Sequence, residues 1–466
     1  MIHHENANPI TQFRQQVYQN FNKRADTLFE LVDALSSNTR AGSVVELSLN
    51  PAFRREYAAL FKAVAEYQPE AAEKSLAQLA AAQLEEPEQR PFWLLGVDVT
   101  PQPRPFAERL ADRGYVYQPN LIRSNKPVTI GHQYSAVVCL PERADHQTPT
   151  WVVPLSMMRV NSSQDKELVG AAQIGALLGD AKLPFQKQLC VEVADSSYSK
   201  PAYLHANRSC ENLVTVTRVR SNRTFYRSPE PTQSCNAKGH PTWYGAAFKL
   251  SDAHSWHPPD ESARTTFTSR SGKHYQVEIE AWHDMRMRGQ RKPVPRPMHL
   301  HAFTLVHIRI FKPNGEAAFQ KPIWLIVVGK RRQELSRPQL FQAYNQRYDL
   351  EHFFRFGKQR LLLSSYQTPD TRHEEHWWQL VCLAYLQLWV ARQQAVSLPR
   401  PWERGLAAMQ SRCLSAALVQ RDFGRIIRQI GTPAQSPKRR GKSRGRRKGT
   451  VLVPRPRLSV VYKGST

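Results

Sequence analysis

The chain has 466 residues, room for roughly two to four domains, and its 41% hydrophobic and 10% aromatic content excludes a fibrous or wholly disordered protein. Lys and Arg number 65 against 39 Asp and Glu, a formal charge of +26 that requires an anionic partner. Nucleic acid comes first, because displacing counterions from phosphates favours spread positive charge, and an anionic membrane second. No run of about 18 apolar residues exists, and Met1-Ile2-His3-His4-Glu5 shows no basic segment leading into an apolar one, so the expectation is a cytosolic protein without a membrane span.

Residues 1–88 read as a helical N-terminal domain for DNA-end binding or dimerisation. Phe13, Val17, Phe21, Leu28 and Leu31 recur at helical spacing. A second helix is predicted from Pro51, with Asn50 as its cap and Phe53, Tyr57, Leu60, Phe61 and Val64 on one face. Leu84 to Arg90 reads as a linker. Short apolar runs then predict buried strands at Phe92 to Val99, Gln133 to Leu140, Trp151 to Val160, Leu189 to Ala194 and Leu213 to Val219, with a helix from Asp165 to Leu178 after the third. Three strands, a helix and two further strands follow the RNase H order. The predicted class is therefore α/β: an RNase H-like mixed sheet with flanking helices, its first part at 89–220.

Residues 221–320 read as a β-rich insertion, with period-two alternation at Tyr275 to Ala281 and Leu300 to Ile310. Lys321 to Val328 returns to the buried-strand type, and Ser336-Arg337-Pro338 opens a long helix predicted to run to about Leu363, within a second catalytic part at 321–400. Trp377 to Val390 is too short for a membrane span and reads as a buried helix. The C-terminal region, 401–466, carries eight basic residues in the eleven from Lys438 to Lys448, a run expected to be disordered when free and to contact nucleic acid through Lys438, Arg439, Arg440, Arg446, Arg447 and Lys448.

The six cysteines form no C-x-x-C pair and read as reduced, buried thiols. Cys210, Cys235, His240, His254 and His257 share one stretch but lack the paired spacing of a structural zinc site. His3, His4, His299 and His301 receive no metal role, since hard divalent ions prefer oxygen.

The chemistry is predicted to sit on three acids. On one continuous helix Tyr344, Arg347, Glu351 and Lys358 fall within a sector of about 60°, flanked by an apolar edge of Ala343, Leu350, Phe354 and Leu361. Taken alone, that stripe is equally a solvated face with an Arg347–Glu351 ion pair. Asp98 and Asp195, however, each end an otherwise apolar strand, where a carboxylate is costly unless paired or bound to a cation. Three carboxylates suit two Mg²⁺ or Mn²⁺ ions about 4 Å apart, the arrangement for in-line phosphodiester chemistry.

The spacing Y-x2-R-x3-E-x6-K, met without a gap by Tyr344, Arg347, Glu351 and Lys358, resembles the signature of DDE-type transposases of a bacterial insertion-sequence group. Asp98-Val99-Thr100-Pro101 with Arg104-Pro105, and Asp195-Ser196-Ser197-Tyr198, resemble that family's first and second acidic motifs, and the likeness covers about residues 90–400. It implies a nucleoid-associated DNA transposase with two divalent ions on Asp98, Asp195 and Glu351. The same resemblance implies phosphate contacts from Tyr344, Arg347 and Lys358, terminal inverted repeats and target DNA as partners, and at least a homodimer to pair two ends. Two rivals are a catalytically inactive, transposase-derived DNA-binding protein and another RNase H-like nuclease. Within the insertion, Trp243, Tyr244, Trp256 and Trp282 are candidates for stacking on a flipped base, with membership of the core as the plainer alternative.

Overall fold

A computed structural model describes all residues except 1–7, 118–126, 230–242, 293, 397–399, 403–413, 439–444, 446, 452 and 463–466. The N-terminal segment is helical: α1 (Pro9–Gln19), α2 (Ala25–Ser36), α3 (Val44–Leu47), α4 (Tyr57–Glu66) and α5 (Leu76–Ala81). Phe13, Val17, Phe21, Leu28 and Leu31 are all buried, as their spacing predicts. The helix predicted from Pro51 starts instead at Tyr57. Asn50 Oδ1 does accept the Ala52 N–H, but Glu30 takes both the backbone N–H and the guanidinium of Arg54, holding the following residues out of a helix. Tyr57 is consequently exposed.

β1 (Phe92–Pro103), β2 (Gly114–Tyr117), β3 (Val128–Cys139), β4 (Val153–Val160), α6 (Lys166–Gly179), β5 (Leu189–Ala194), α7 (Pro201–Asn207) and β6 (Leu213–Val219) follow. β3 runs antiparallel to β1 and β4, whereas β1, β5 and β6 are mutually parallel. The order β4-β3-β1-β5-β6 is that of an RNase H-like sheet. β2 escaped the sequence reading because only Val116 of its four residues is buried, which leaves no apolar alternation to see.

The region read as an insertion contributes β7 (Thr224–Tyr226), β8 (Ala247–Lys249), β9 (Glu261–Thr268), β10 (His274–Met285) and β11 (Phe303–Phe311). β7 and β8 form a two-stranded sheet, but β9, β10 and β11 extend the main sheet through β12 (Ile323–Val328), which pairs with β6. Their alternation reflects one face packed and one face wet. The long helix is two segments, α8 (Arg337–Gln346) and α9 (Tyr348–Arg360), joined at Arg347. There the Arg347 N–H donates to the Tyr344 carbonyl and the Leu350 N–H to the Arg347 carbonyl, three-residue steps that tighten the turn.

α10 (Thr371–Val396) is the central post of the helical layer, packing against α1, α2, α4, α5, β4 and α11 (Ala416–Ile430). Trp377 and Trp378 on it are wholly buried, and Tyr134 of β3 stacks on Trp378 at 3.9 Å. Arg14 of α1 fixes this layer internally, donating to Asp33 of α2 at 2.9 Å, to Gln387 of α10 at 3.2 Å and to the Gly431 carbonyl at 3.1 Å. Among the described residues no helix is long and apolar enough to cross a membrane.

Glu192, in the middle of β5, is fully buried and receives hydrogen bonds from Asn207 of α7 at 2.8 Å and Thr215 of β6 at 3.0 Å. Burial pushes its carboxyl up to about 8, with those two bonds pulling the other way. The native protein therefore holds a proton that the unfolded chain loses above about pH 4.5, so this group costs stability as pH rises toward 8. Glu192→Gln keeps an acceptor for both donors and carries no charge. It is expected to gain on the wild type by about 3 kcal/mol between pH 5 and pH 8, measured by denaturant unfolding at the two pH values.

Candidate active site

The parallel register of β1 and β5 aligns Gly96 with Val193. Two residues further on, past the last β1–β5 pair, Asp98 and Asp195 therefore stand side by side, Asp195 just after β5 ends and Asp98 inside β1, which runs on to Pro103 along β3 rather than stopping where its apolar run does. The β5–β6 register, which places Ala194 opposite Thr217, continues the row to Arg218. Gly96 lets α9 lie against this face, since a Cβ there would meet Leu350 Cδ1 at 2.9 Å. Ala343, Leu350, Phe354 and Leu361 are all buried beneath the two helices, the apolar edge their spacing predicts.

Asp98 is about one-fifth exposed and accepts the Val99 N–H at 2.7 Å. Burial raises its carboxyl to about 6, the Asp195 charge adds to the rise, and Arg347 opposes it. Asp195 caps the short turn after β5, accepting from the Ser197 N–H and Oγ, each at 2.7 Å. Lys166, at the start of α6, also contributes positive potential at Asp98.

Arg347 couples this pair to α9. Its Nη1 lies 3.7 Å from Asp98 Oδ2 and its Nη2 donates to Glu351 Oε1 at 2.9 Å. Burial works against the guanidinium charge, but Tyr344, Asp98 and Glu351 outweigh it and raise its pKa. Glu351 is half exposed. Among the described residues no three His, Cys, Asp or Glu side chains stand close enough together to hold a metal ion. The structure thus joins Asp98 to Asp195 directly and brings Glu351 to them through a cation. A half-buried pair of repelling carboxylates, with a guanidinium as counter-charge, is a donor set that fits a hard divalent ion.

The other signature residues are differently placed. Tyr344 is 2% exposed, and burial drives its hydroxyl up to about 12. Lys358 Nζ donates to Thr100 Oγ1 at 2.6 Å and to the Pro101 carbonyl at 3.1 Å, and burial lowers it to about 8. Arg104, from the first acidic motif, is turned inward, donating to the Tyr366 carbonyl at 2.9 Å beside the buried Glu374. Its role in this chain is to pin the loop after α9.

Of the four tryptophan and tyrosine candidates, Trp282 is 1% exposed and Trp256 packs on Trp324 at 5.0 Å. Trp282 belongs to the core, which removes it as a base-stacking residue, and the partly buried Trp256 packs against that core. Trp243 and Tyr244 stay nearer the surface, Trp243 lying flat on His299 at 3.8 Å. Cys139, Cys190 and Cys382 are buried and Cys210 partly so, while Cys235, His240 and Cys413 lie outside the described residues. Lys438, Arg447 and Lys448 are exposed; Arg439, Arg440 and Arg446 lie outside the described residues. Residues on either side of that run are held: the Gln435 N–H donates to Asp26 at 2.8 Å, and the Leu458 and Val461 N–H groups donate to the Glu108 and Arg113 carbonyls, each at 2.7 Å.

Sequence reasoning passed over Arg218 and Lys166, whose only mark is their place in the strand register and at a helix start. Glu192 could have been found, as a lone charge inside an apolar strand.

A family profile described as DDE superfamily endonuclease matches residues 16–288. The chain belongs to that superfamily. The matched span holds β1, β5 and both aspartates; Glu351 lies beyond it and rests on the geometry above. No curated protein sequence matches the chain. Membership points to DNA as the substrate of this DDE endonuclease and to phosphodiester cleavage as its reaction class, in accord with the RNase H-like strand order.

Because the carboxyl of Asp98 sits above its usual range, the native state is penalised as pH rises through about 4 to 6 in the presence of chelator. Asp98→Asn should abolish that loss, worth about 2 kcal/mol between pH 4 and pH 7.5. Mn²⁺ should raise the melting temperature of the wild type at pH 7.5 and leave that of Asp98→Asn unmoved, as followed by differential scanning fluorimetry.

Proposed function

We propose that the protein is a DNA transposase that cleaves the ends of a mobile element and joins them to target DNA. The observation that carries this reading is the side-by-side placement of Asp98 and Asp195 where the parallel pairing of β1 and β5 ends, with Glu351 linked to Asp98 by Arg347. Asp98, Asp195 and Glu351 would hold Mg²⁺ or Mn²⁺, two ions in all, once Glu351 leaves Arg347. Bound there, such ions supply positive charge for the attacking and leaving oxygens of an in-line displacement.

The chain's own residues do the rest. Arg347, released by the acids, presents a planar fork to a phosphate, while Lys358 of α9, held against Thr100 and Pro101 of β1, offers a point charge. Tyr344 packs under Arg347, its ring 6.0 Å from the guanidinium, and keeps that fork aimed. Water attacks the phosphodiester at the element's end, and the freed 3′ hydroxyl then attacks a target phosphodiester and expels the target's own 3′ oxygen. Pairing two ends calls for a homodimer, with the helical segment at 1–88 and the basic run from Lys438 as further DNA contacts.

The decisive assay is strand cleavage of DNA carrying the element's own ends, with Mg²⁺ or Mn²⁺. Asp98→Ala, Asp195→Ala and Glu351→Ala should each lose on the order of 10³-fold in rate while end binding persists. A wild type that binds but never cuts would hand the reading to a DNA-binding protein derived from such an enzyme. A variant that cuts normally would remove that acid from the site.

Arg347→Ala should weaken end binding and reduce the dependence of log Kd on log salt by about one phosphate contact. Titrations across a range of KCl measure this, and an unchanged slope would take the phosphate role from Arg347.

A further inference from the structure

On the side of the sheet carrying α7, opposite α8 and α9, a group of cations converges on the seam between α7 and the 221–320 region. Arg208, just after α7, donates through Nη1 to His301 Nε2. The His205 and His301 rings lie 6.1 Å apart, 29° from parallel. Burial lowers the His205 imidazole, and the charges of Arg208 and Arg296 lower it further. For His301 burial again leads, and Arg208, His205 and His299 help bring it to about 4. Arg286 donates to the His299 carbonyl at 2.7 Å and closes the group on its outer side.

Acids are missing where they would be expected. Among the described residues none of Arg208, Arg286 and Arg296 makes an ion pair; the nearby Asp260 and Asp284 are taken by Arg227 and Arg332. Arginine cannot shed its proton, so the histidines yield theirs instead. His205 Nδ1 is buried and has no hydrogen-bond partner. An arrangement that suppresses its own charge for want of a counter-ion, yet stays partly open to solvent, is built to receive an anion.

We infer that Arg208, Arg296, His205 and His301 form a phosphodiester-binding site for a second stretch of DNA backbone, distinct from the strand at the aspartates. The choice of nucleic acid over another polyanion rests on the DNA-cutting reading above and on the +26 charge of the chain. A backbone phosphate accepts from the Arg208 fork and from newly protonated His301, and it offsets the mutual repulsion of the group. The site lies on the opposite face from Asp98, so it adds grip and orientation without touching the reacting atoms.

The test uses the full chain and a labelled duplex of unrelated sequence, with Kd measured against KCl concentration. Arg208→Ala and Arg296→Ala should each lower the slope of log Kd on log salt by about one and weaken binding about three- to tenfold near 0.1 M salt. Arg208→Lys, which keeps the charge, should hold most of the slope. A second readout needs only wild-type protein: in spectra of ¹³C-histidine-labelled chain, the His205 and His301 signals, assigned with His205→Gln and His301→Gln, should move toward imidazolium on adding duplex. Unmoved signals with unchanged slopes overturn the site. An equal response to inorganic phosphate at matched phosphate concentration overturns the DNA backbone as its ligand. Failure of the wild type to cut any DNA would sink the catalytic reading alone, because binding and the histidine shifts are read without cleavage.

Discussion

Two aspartates held beside each other in a half-buried setting repel, and much of the structure around them answers that repulsion. The parallel pairing of β1 with β5 sets Asp98 beside Asp195, because the register that matches Gly96 with Val193 carries both chains forward together. Relief comes from a buried arginine at the joint of two helices, from a lysine at the start of α6, and from a proton that Asp98 keeps to about pH 6. None of these neutralises the site permanently. Arg347 shares itself between Asp98 and a half-exposed Glu351, so its charge is committed to neither acid alone.

The rest of the fold serves that placement. Gly96 lets α9 approach the sheet, and the tightened turn at Arg347 points the guanidinium at the strand ends. Behind the sheet, Arg104 and His132 converge on buried Glu374 of α10, and this network ties β1 and β3 to the helical layer. Arg14, Asp33 and Gln387 do the same between the N-terminal helices and α10. Buried charges placed this way add little net stability, but they specify which element meets which. Beyond β6 the sheet continues through β12, β11 and β10 to β9.

Several features were legible in the residues. Apolar runs such as Leu189 to Ala194 and Leu213 to Val219 are strands with the bounds expected, because a strand buried on both faces has no other composition. The two aspartates stood out for the complementary reason: a charge at the end of an apolar run needs a purpose, although β1 itself runs on past Asp98 to Pro103. The signature helix was legible as well, although its break at Arg347 was not, since no glycine or proline marks it. The turn tightens there because Arg347 is drawn toward Asp98, a contact between residues 249 positions apart.

By itself, then, the sequence determined the α/β class, the helical start, the end of β5 before Asp195, and the apolar edge under Glu351. Each follows from local periodicity or from the cost of placing a charge, and both act over a few residues. The tertiary structure alone decided that β9 to β11 join the main sheet, that Trp282 belongs to the core with Trp256 packed against it, that Lys358 binds Thr100 and that Arg208 meets His301. Those outcomes depend on which strand pairs with which, and pairing is settled by burying the most apolar surface across distant segments, something no local pattern encodes.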